Sequence, residues 1–231
     1  MKIMGVFIIM KIRTKKSLSG YKYLVVFDLA SRITGVCLWS IAEHRPITTQ
    51  VIKVNATCES KIKQLYVEIQ AYFQQLQQQN IDLKDILVCK EAMPTQVHGG
   101  SSTIQTFIAL AKSHAILDLF LENNNIDFYD DCGIYPASTH AYFRHIMDLN
   151  TQDKVTKEDV RQYVMSKYGL ADISLDESDA VFLAETFVGA KWNRDLDEAI
   201  REVKRHKKEL KAQHAIEQCN EEIEFLLSLK I

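Results

Sequence analysis

Four acidic residues stand where a charge is hard to keep. Asp28 ends the unbroken apolar run Leu24-Val25-Val26-Phe27, and Glu91 closes the similar segment Ile86-Leu87-Val88-Cys89-Lys90. Asp176 and Asp179 each lie four residues before a member of the apolar stripe Ala180, Leu183, Ala184 and Phe187. On a helix they prolong that stripe instead of the wet face. An ionised carboxylate in such surroundings costs roughly several kcal/mol unless a cation meets it. A helix N-terminus supplies only about 0.3–1 kcal/mol, and Arg32, the basic residue near Asp28, sits in a turn. A divalent ion answers the need better. Converging carboxylates hold Mg2+ or Mn2+, and two such ions roughly 4 Å apart activate a water and stabilise a leaving oxygen. Plainer readings stay open for single residues: a strand-end turn at Asp28, an ion pair with Lys90 at Glu91, an N-cap at Asp176.

The elements that must position these acids follow from periodicity. Residues 22–28, 33–40 and 47–54 read as three strands of an antiparallel meander. Ile62, Leu65, Ile69, Phe73 and Leu76 recur at spacings of three and four, which predicts an amphipathic helix over 59–79. A fourth strand ends at Glu91, and the order β-β-β-α-β sets it beside the strand ending at Asp28. Pro94 stops that strand. The turn His98-Gly99-Gly100-Ser101-Ser102 leads into a helix over 102–123, with Ser101 or Ser102 as its cap. Ile126-Asp127-Phe128-Tyr129 reads as a short fifth strand. Pro136 starts a helix over 137–148. Thr156 and Asp159 have capping-box spacing at the start of another. A helix over 176–190 carries Asp176 and Asp179, and 193–231 reads as one long charged helix.

The totals set bounds. With 231 residues, 47% of them hydrophobic and 25% charged, the chain has the make-up of a globular protein with one large domain. Its net charge of −2 provides no global field for nucleic acid, so any such contact rests on local patches. The five cysteines are scattered and form no CxxC or Cys/His cluster; they read as reduced thiols in a cytoplasmic compartment. No uninterrupted apolar run reaches the roughly 18 residues of a membrane span, so no membrane partner is expected. The apolar residues 1–10, followed by Lys11, Arg13, Lys15 and Lys16, read as an extra strand or mobile basic leader rather than a signal peptide.

Taken in order, these pieces resemble the RuvC-type Holliday-junction resolvases, as a divergent, phage- or virus-type member. The matching segments are Phe27-Asp28-Leu29-Ala30 with Thr34-Gly35, Val88-Cys89-Lys90-Glu91, Lys157-Glu158-Asp159-Val160 and Leu175-Asp176-Glu177-Ser178-Asp179-Ala180. The resemblance implies an α/β, ribonuclease H-like fold: a mixed five-stranded sheet in the order β-β-β-α-β-α-β, flanked by helices, with a C-terminal helical extension. It implies a Mg2+- or Mn2+-dependent endodeoxyribonuclease that resolves Holliday junctions or other branched DNA by paired symmetric nicks. Asp28, Glu91, Asp176 and Asp179 would bind two metal ions, Lys157 would face the scissile phosphate, and no small-molecule cofactor is expected. A second family lysine has no direct counterpart; His140, Arg144 or His145 could serve. The aromatic that the family often carries after the strand-4 glutamate is replaced by Met93 and Pro94. At the level of the fold, a non-catalytic nucleic-acid-binding module and a transposase or packaging-type nuclease remain alternatives.

The expected organisation is a leader (1–20), a nuclease domain (21–190) and a charged extension (191–231). A homodimer is expected on a four-way junction, with Ile104, Phe107, Ile108 and Ala111 of helix 102–120 either at its interface or packed on the sheet. In the extension, Arg201, Lys204, Arg205, Lys208 and Lys211 fall on one basic stripe, ahead of an apolar end at Phe225, Leu226 and Leu229.

Overall fold

The computed structural model describes residues 18–30, 32–55, 61–93, 104–129, 133–191, 200–201, 203–205, 207 and 213–228. The expected leader up to residue 17, Pro94, the turn at His98, the caps Ser101 and Ser102, and the tail residues Lys208, Lys211 and Leu229 lie outside them. Two compact units emerge, Lys22–Thr186 and a second drawn from Met1–Tyr21 with Phe187–Ile231.

In the first unit, β1 (Tyr23–Asp28), β2 (Ile33–Ser40) and β3 (Arg45–Lys53) form the antiparallel meander. After α1 (Lys61–Gln78), β4 (Ile86–Lys90) pairs in parallel with β1, giving the order β3-β2-β1-β4. The apolar residues Leu24–Phe27 are fully buried because β1 lies between two partners and is covered on both faces. Among the described residues the sheet has four strands, and the fifth one expected is not shown. Among the described residues, the segment after α2 (Ile104–Asn123) meets β4 only at two isolated parallel bridges, Val88 with Phe128 and Glu91 with Ile134. Gly133, at φ 76°, turns the chain out of the extended conformation that a ladder needs.

Alternation along the strands sorts side chains to two faces. Val25, Phe27, Val36, Leu38, Ile86 and Val88 pack with Leu65, Ile69, Phe73 and Leu76 of α1 and with Leu117, Phe120 and Leu121 of α2. Phe73 stacks on Phe120 at 5.3 Å and lies 6.2 Å from Phe27. By length and composition alone α2 could cross a membrane, which a count of uninterrupted apolar residues does not reveal; its Leu117, Phe120 and Leu121 are core residues here. Of the expected interface stripe, Ile104 and Ile108 are exposed, while Phe107 and Ala111 are half-buried.

The opposite face receives α5 (Leu175–Thr186), which lies against β1, β2 and β3 and is covered in turn by α3 (Pro136–Ile146) and α4 (Lys157–Tyr168). The expected stripe on α5 proves too narrow. Every residue from Ala180 to Thr186 is buried, including Glu185, because the helix is sandwiched between the sheet and two helices. The expected capping box of α4 is present: Thr156 Oγ1 accepts from Asp159 N–H at 3.2 Å, and the Asp159 carboxylate accepts from Thr156 N–H at 2.8 Å.

In the second unit, Arg201, Lys204 and Arg205 are helical and exposed, and α6 (Gln213–Ser228) buries Cys219, Glu222 and Leu226 along one stripe. The single helix expected over 193–231 includes residues that lie outside the described ones.

One close approach sets the seat of α5. A Cβ placed on Gly35 would lie 2.0 Å from the Asp176 carbonyl oxygen and 3.3 Å from the Ala180 Cβ. Only hydrogen at this position lets the first turn of α5 rest on β2. Gly35→Ala should therefore destabilise the fold by about 1–3 kcal/mol, in the range of other overpacking changes. Urea unfolding should show a lower midpoint at unchanged slope; an unchanged midpoint would contradict the contact.

Candidate active site

The register of β1 and β4 brings two of the four acids together. Phe27 pairs with Lys90, and the Glu91 N–H donates to the Phe27 carbonyl at 3.0 Å, so Asp28 and Glu91 are neighbours at the C-terminal ends of adjacent parallel strands. Alternation puts both on the α5 face. It sends Lys90 the other way, where the ammonium pairs with Asp118 of α2. The Lys90–Glu91 ion pair open to the sequence reading is therefore excluded. The β4 end is clamped by the segment at Gly133: a Cβ there would lie 2.5 Å from the Lys90 carbonyl oxygen and 3.0 Å from the Glu91 carbonyl carbon.

From the other side, α5 presents Asp176 and Asp179 one turn apart. Gly35, the β2 partner of Asp28, lies beneath the Asp176 carbonyl, so the first turn of α5 abuts the end of β1. Lys157, the first residue of α4, reaches in from solvent and donates to Asp179 Oδ2 at 2.5 Å; its side chain is 61% exposed against 18% for Asp179. Arg161 Nε donates to the Ile173 carbonyl at 2.7 Å, tying α4 to the loop that leads into α5.

The electrostatics record the crowding. Burial first, and the Asp179 carboxylate second, push Asp28 from 3.8 up to about 6. Burial, and then the Asp28 charge, push Glu91 from 4.5 up to about 8. The two share a side-chain hydrogen bond in which protonated Glu91 donates to Asp28. Burial also raises Asp179, although Lys157 opposes the shift. For Lys157, burial works against the ammonium, but the bond to Asp179 and the charges of Asp179, Asp28 and Asp176 outweigh it and raise its pKa. One proton and one ammonium thus stand in for part of the positive charge that four acids call for. In this arrangement no three His, Cys, Asp or Glu groups gather closely enough to clasp an ion among the described residues. The donor set is nevertheless all carboxylate oxygen, as Mg2+ and Mn2+ prefer, and the raised pKa values of Asp28, Glu91 and Asp179 mark a site short of positive charge.

Of the secondary candidates, exposed His140 lies within electrostatic reach of Asp179. Arg144 is used elsewhere: its Nε donates to the Asp153 carbonyl at 2.9 Å and fastens the loop after α3. His145 is exposed near the C-terminal end of α3. Gly133 and Lys90 escaped the sequence reading as positioning elements; only a topology that set them beside Glu91 could have flagged them.

No family model matches the sequence, and no curated protein matches it. Solved structures do share its fold. One is RuvC of T. thermophilus in complex with Holliday junction substrate, with a TM-score of 0.51 at 12% identity over 72% of this chain and 92% of that one. The Thermus thermophilus RuvC structure matches with a TM-score of 0.50 at 12% identity over 71% and 92%. The four-stranded mixed sheet and its helices are thus RuvC-like and fit the ribonuclease H-like class.

Raised carboxylate pKa values fix the sign of a pH effect. The folded state holds protons on Asp28 and Glu91 that the unfolded chain releases near 3.8 and 4.5. Their contribution is complete below those values and is lost as pH rises through about 6 and about 8. Without added metal, the melting temperature should fall between about pH 5 and about pH 9. Mn2+ should restore it at the alkaline end and do little at the acid end. A Mn2+ effect equal at both ends would contradict this charge balance.

Proposed function

We propose that the chain is a divalent-metal-dependent endonuclease that cuts branched DNA of the four-way-junction kind. The observation that carries the reading is that Asp28 and Glu91 from two adjacent strands and Asp179 from one helix sit within electrostatic reach of one another, each with a raised pKa, on a RuvC-like fold. Asp28 and Glu91 from the sheet, with Asp176 and Asp179 from α5, would hold Mg2+ or Mn2+. When bound, such ions supply a polarised water and charge stabilisation for phosphodiester hydrolysis. The residues of the chain provide the rest. Asp28 and Glu91 give up their shared proton on loading. Lys157, exposed along most of its length, leaves Asp179 without desolvation and offers its ammonium to a phosphate. His140 stands on the same side as a second cation when protonated.

Paired nicks require two such sites, and a homodimer through the N-terminal half of α2, at exposed Ile104 and Ile108 and half-buried Phe107 and Ala111, would provide them. A second reading, DNA binding without cutting, draws on the Lys157–Asp179 pair, which neutralises one of the acids in the present arrangement.

The two readings part in one assay. With Mg2+, the purified chain should nick a four-way junction in preference to linear duplex. Asp28→Asn should lower cutting by about 1000-fold or more, since it removes an inner ligand and a charge together. It should leave junction binding equal or tighter, because one carboxylate no longer repels phosphate. Junction binding by the natural chain with no cutting in Mg2+ or Mn2+ would favour the binding module. Full activity of Asp28→Asn would sink the metal site.

A further inference from the structure

Between Asp176 and Asp179 lies a third acid that points elsewhere. The two oxygens of Glu177 are both engaged on the β3 side of α5. Oε1 accepts from Thr49 Oγ1 at 3.0 Å. Oε2 accepts from Ser174 N–H at 3.0 Å and from Ser174 Oγ at 2.7 Å. Ser174 Oγ in turn accepts from Glu177 N–H at 3.2 Å. The Ser174–Glu177 half is a capping box that closes the first turn of α5. The Thr49 half reaches out of the helix altogether. Thr49 pairs with Cys37 of β2, two residues from Gly35 and on the same face.

The first turn of α5 is therefore fixed by two contacts of different kinds. Gly35 sets how closely the helix comes to the sheet. A helix resting on a glycine can still roll or fray at its end, where backbone groups lack intrahelical partners. The Thr49–Glu177–Ser174 chain of hydrogen bonds opposes both motions. Roll matters here because Asp176 and Asp179 flank Glu177, and a rotation of the first turn moves both relative to Asp28 and Glu91.

We infer that Glu177 is a positioning residue, which through Thr49 and Ser174 holds Asp176 and Asp179 in the orientation a divalent ion requires. The inference rests on the proposed metal site and adds a residue outside its ligand set. Supporting hydrogen bonds of this type typically govern metal affinity by about 10–100-fold.

The test must separate position from charge, since Glu177 is itself an anion close to the site. Thr49→Val does so: the carboxylate stays and only its tether is lost. Mn2+ binding to the full chain, followed by titration calorimetry or by the free-Mn2+ electron paramagnetic resonance signal, is the readout, alongside the melting temperature of the metal-free protein. Thr49→Val should weaken Mn2+ binding about 10-fold while metal-free melting shifts little. Thr49→Ser, which restores the hydroxyl, should recover the affinity. Glu177→Ala should lose at least as much as Thr49→Val. Nicking by Thr49→Val should need more Mg2+ for half-maximal rate and approach the natural rate at saturation. If the natural chain binds Mn2+ and Thr49→Val and Glu177→Ala bind it equally well, the positioning role is wrong and the metal site survives. If the natural chain binds no Mn2+, the metal site falls and this inference falls with it.

Discussion

The seat of α5 on the sheet depends on an atom that is missing. With no side chain at Gly35, the Asp176 carbonyl can rest where a Cβ would be, 2.0 Å away. Everything on that face follows from this contact. It sets the first turn of α5 against the end of β1, and hence Asp176 and Asp179 against Asp28. Parallel pairing of β1 with β4 adds Glu91 to the group. The segment at Gly133 makes the same use of a missing side chain against the Glu91 peptide. Two glycines thus hold the backbones of three elements closer than ordinary residues allow, and the acids converge as a result.

Convergence of like charges opposes folding, and α5 shows two ways of answering it. At its C-terminal end, buried Glu185 accepts from Tyr163 OH, Lys167 Nζ and Tyr168 OH at 2.7–2.8 Å, a full set of donors in a closed structural network. At its N-terminal end the acids have too few donors. Asp28 and Glu91 share a proton, Asp179 borrows Lys157, and pKa values rise. A buried acid satisfied by neutral and cationic donors stabilises a fold. A cluster left short of positive charge is poised for a ligand that brings some. That contrast within one helix supports reading the N-terminal cluster as functional and the C-terminal one as structural.

Much of this was legible in the sequence where the signal was local. The run Leu24–Phe27 ending on Asp28 reads as a central strand because burial on both faces forbids alternation. Thr156 and Asp159 give the cap of α4 from spacing alone. The misses are non-local. Ile126-Asp127-Phe128-Tyr129 reads as a short fifth strand, but among the described residues it meets β4 only at the Val88–Phe128 bridge. The sequence shows an apolar stripe on α5 that implies one wet face, whereas helices on the far side bury the rest. Lys90 next to Glu91 invites an ion pair in sequence, and the pleat separates them. Nothing local in the sequence marks Glu177 as a positioning residue, because its partner Thr49 is 128 residues away.

The most direct test of the account is to locate the ions. Crystals of the chain grown near pH 8 and soaked in Mn2+ give an anomalous-scattering map that places each ion without assumption. The account expects Mn2+ peaks between Asp28, Glu91, Asp176 and Asp179, with the Lys157 ammonium displaced from Asp179. Peaks only elsewhere, with Lys157 still bonded to Asp179, would contradict the claim that these four acids form a divalent-ion site.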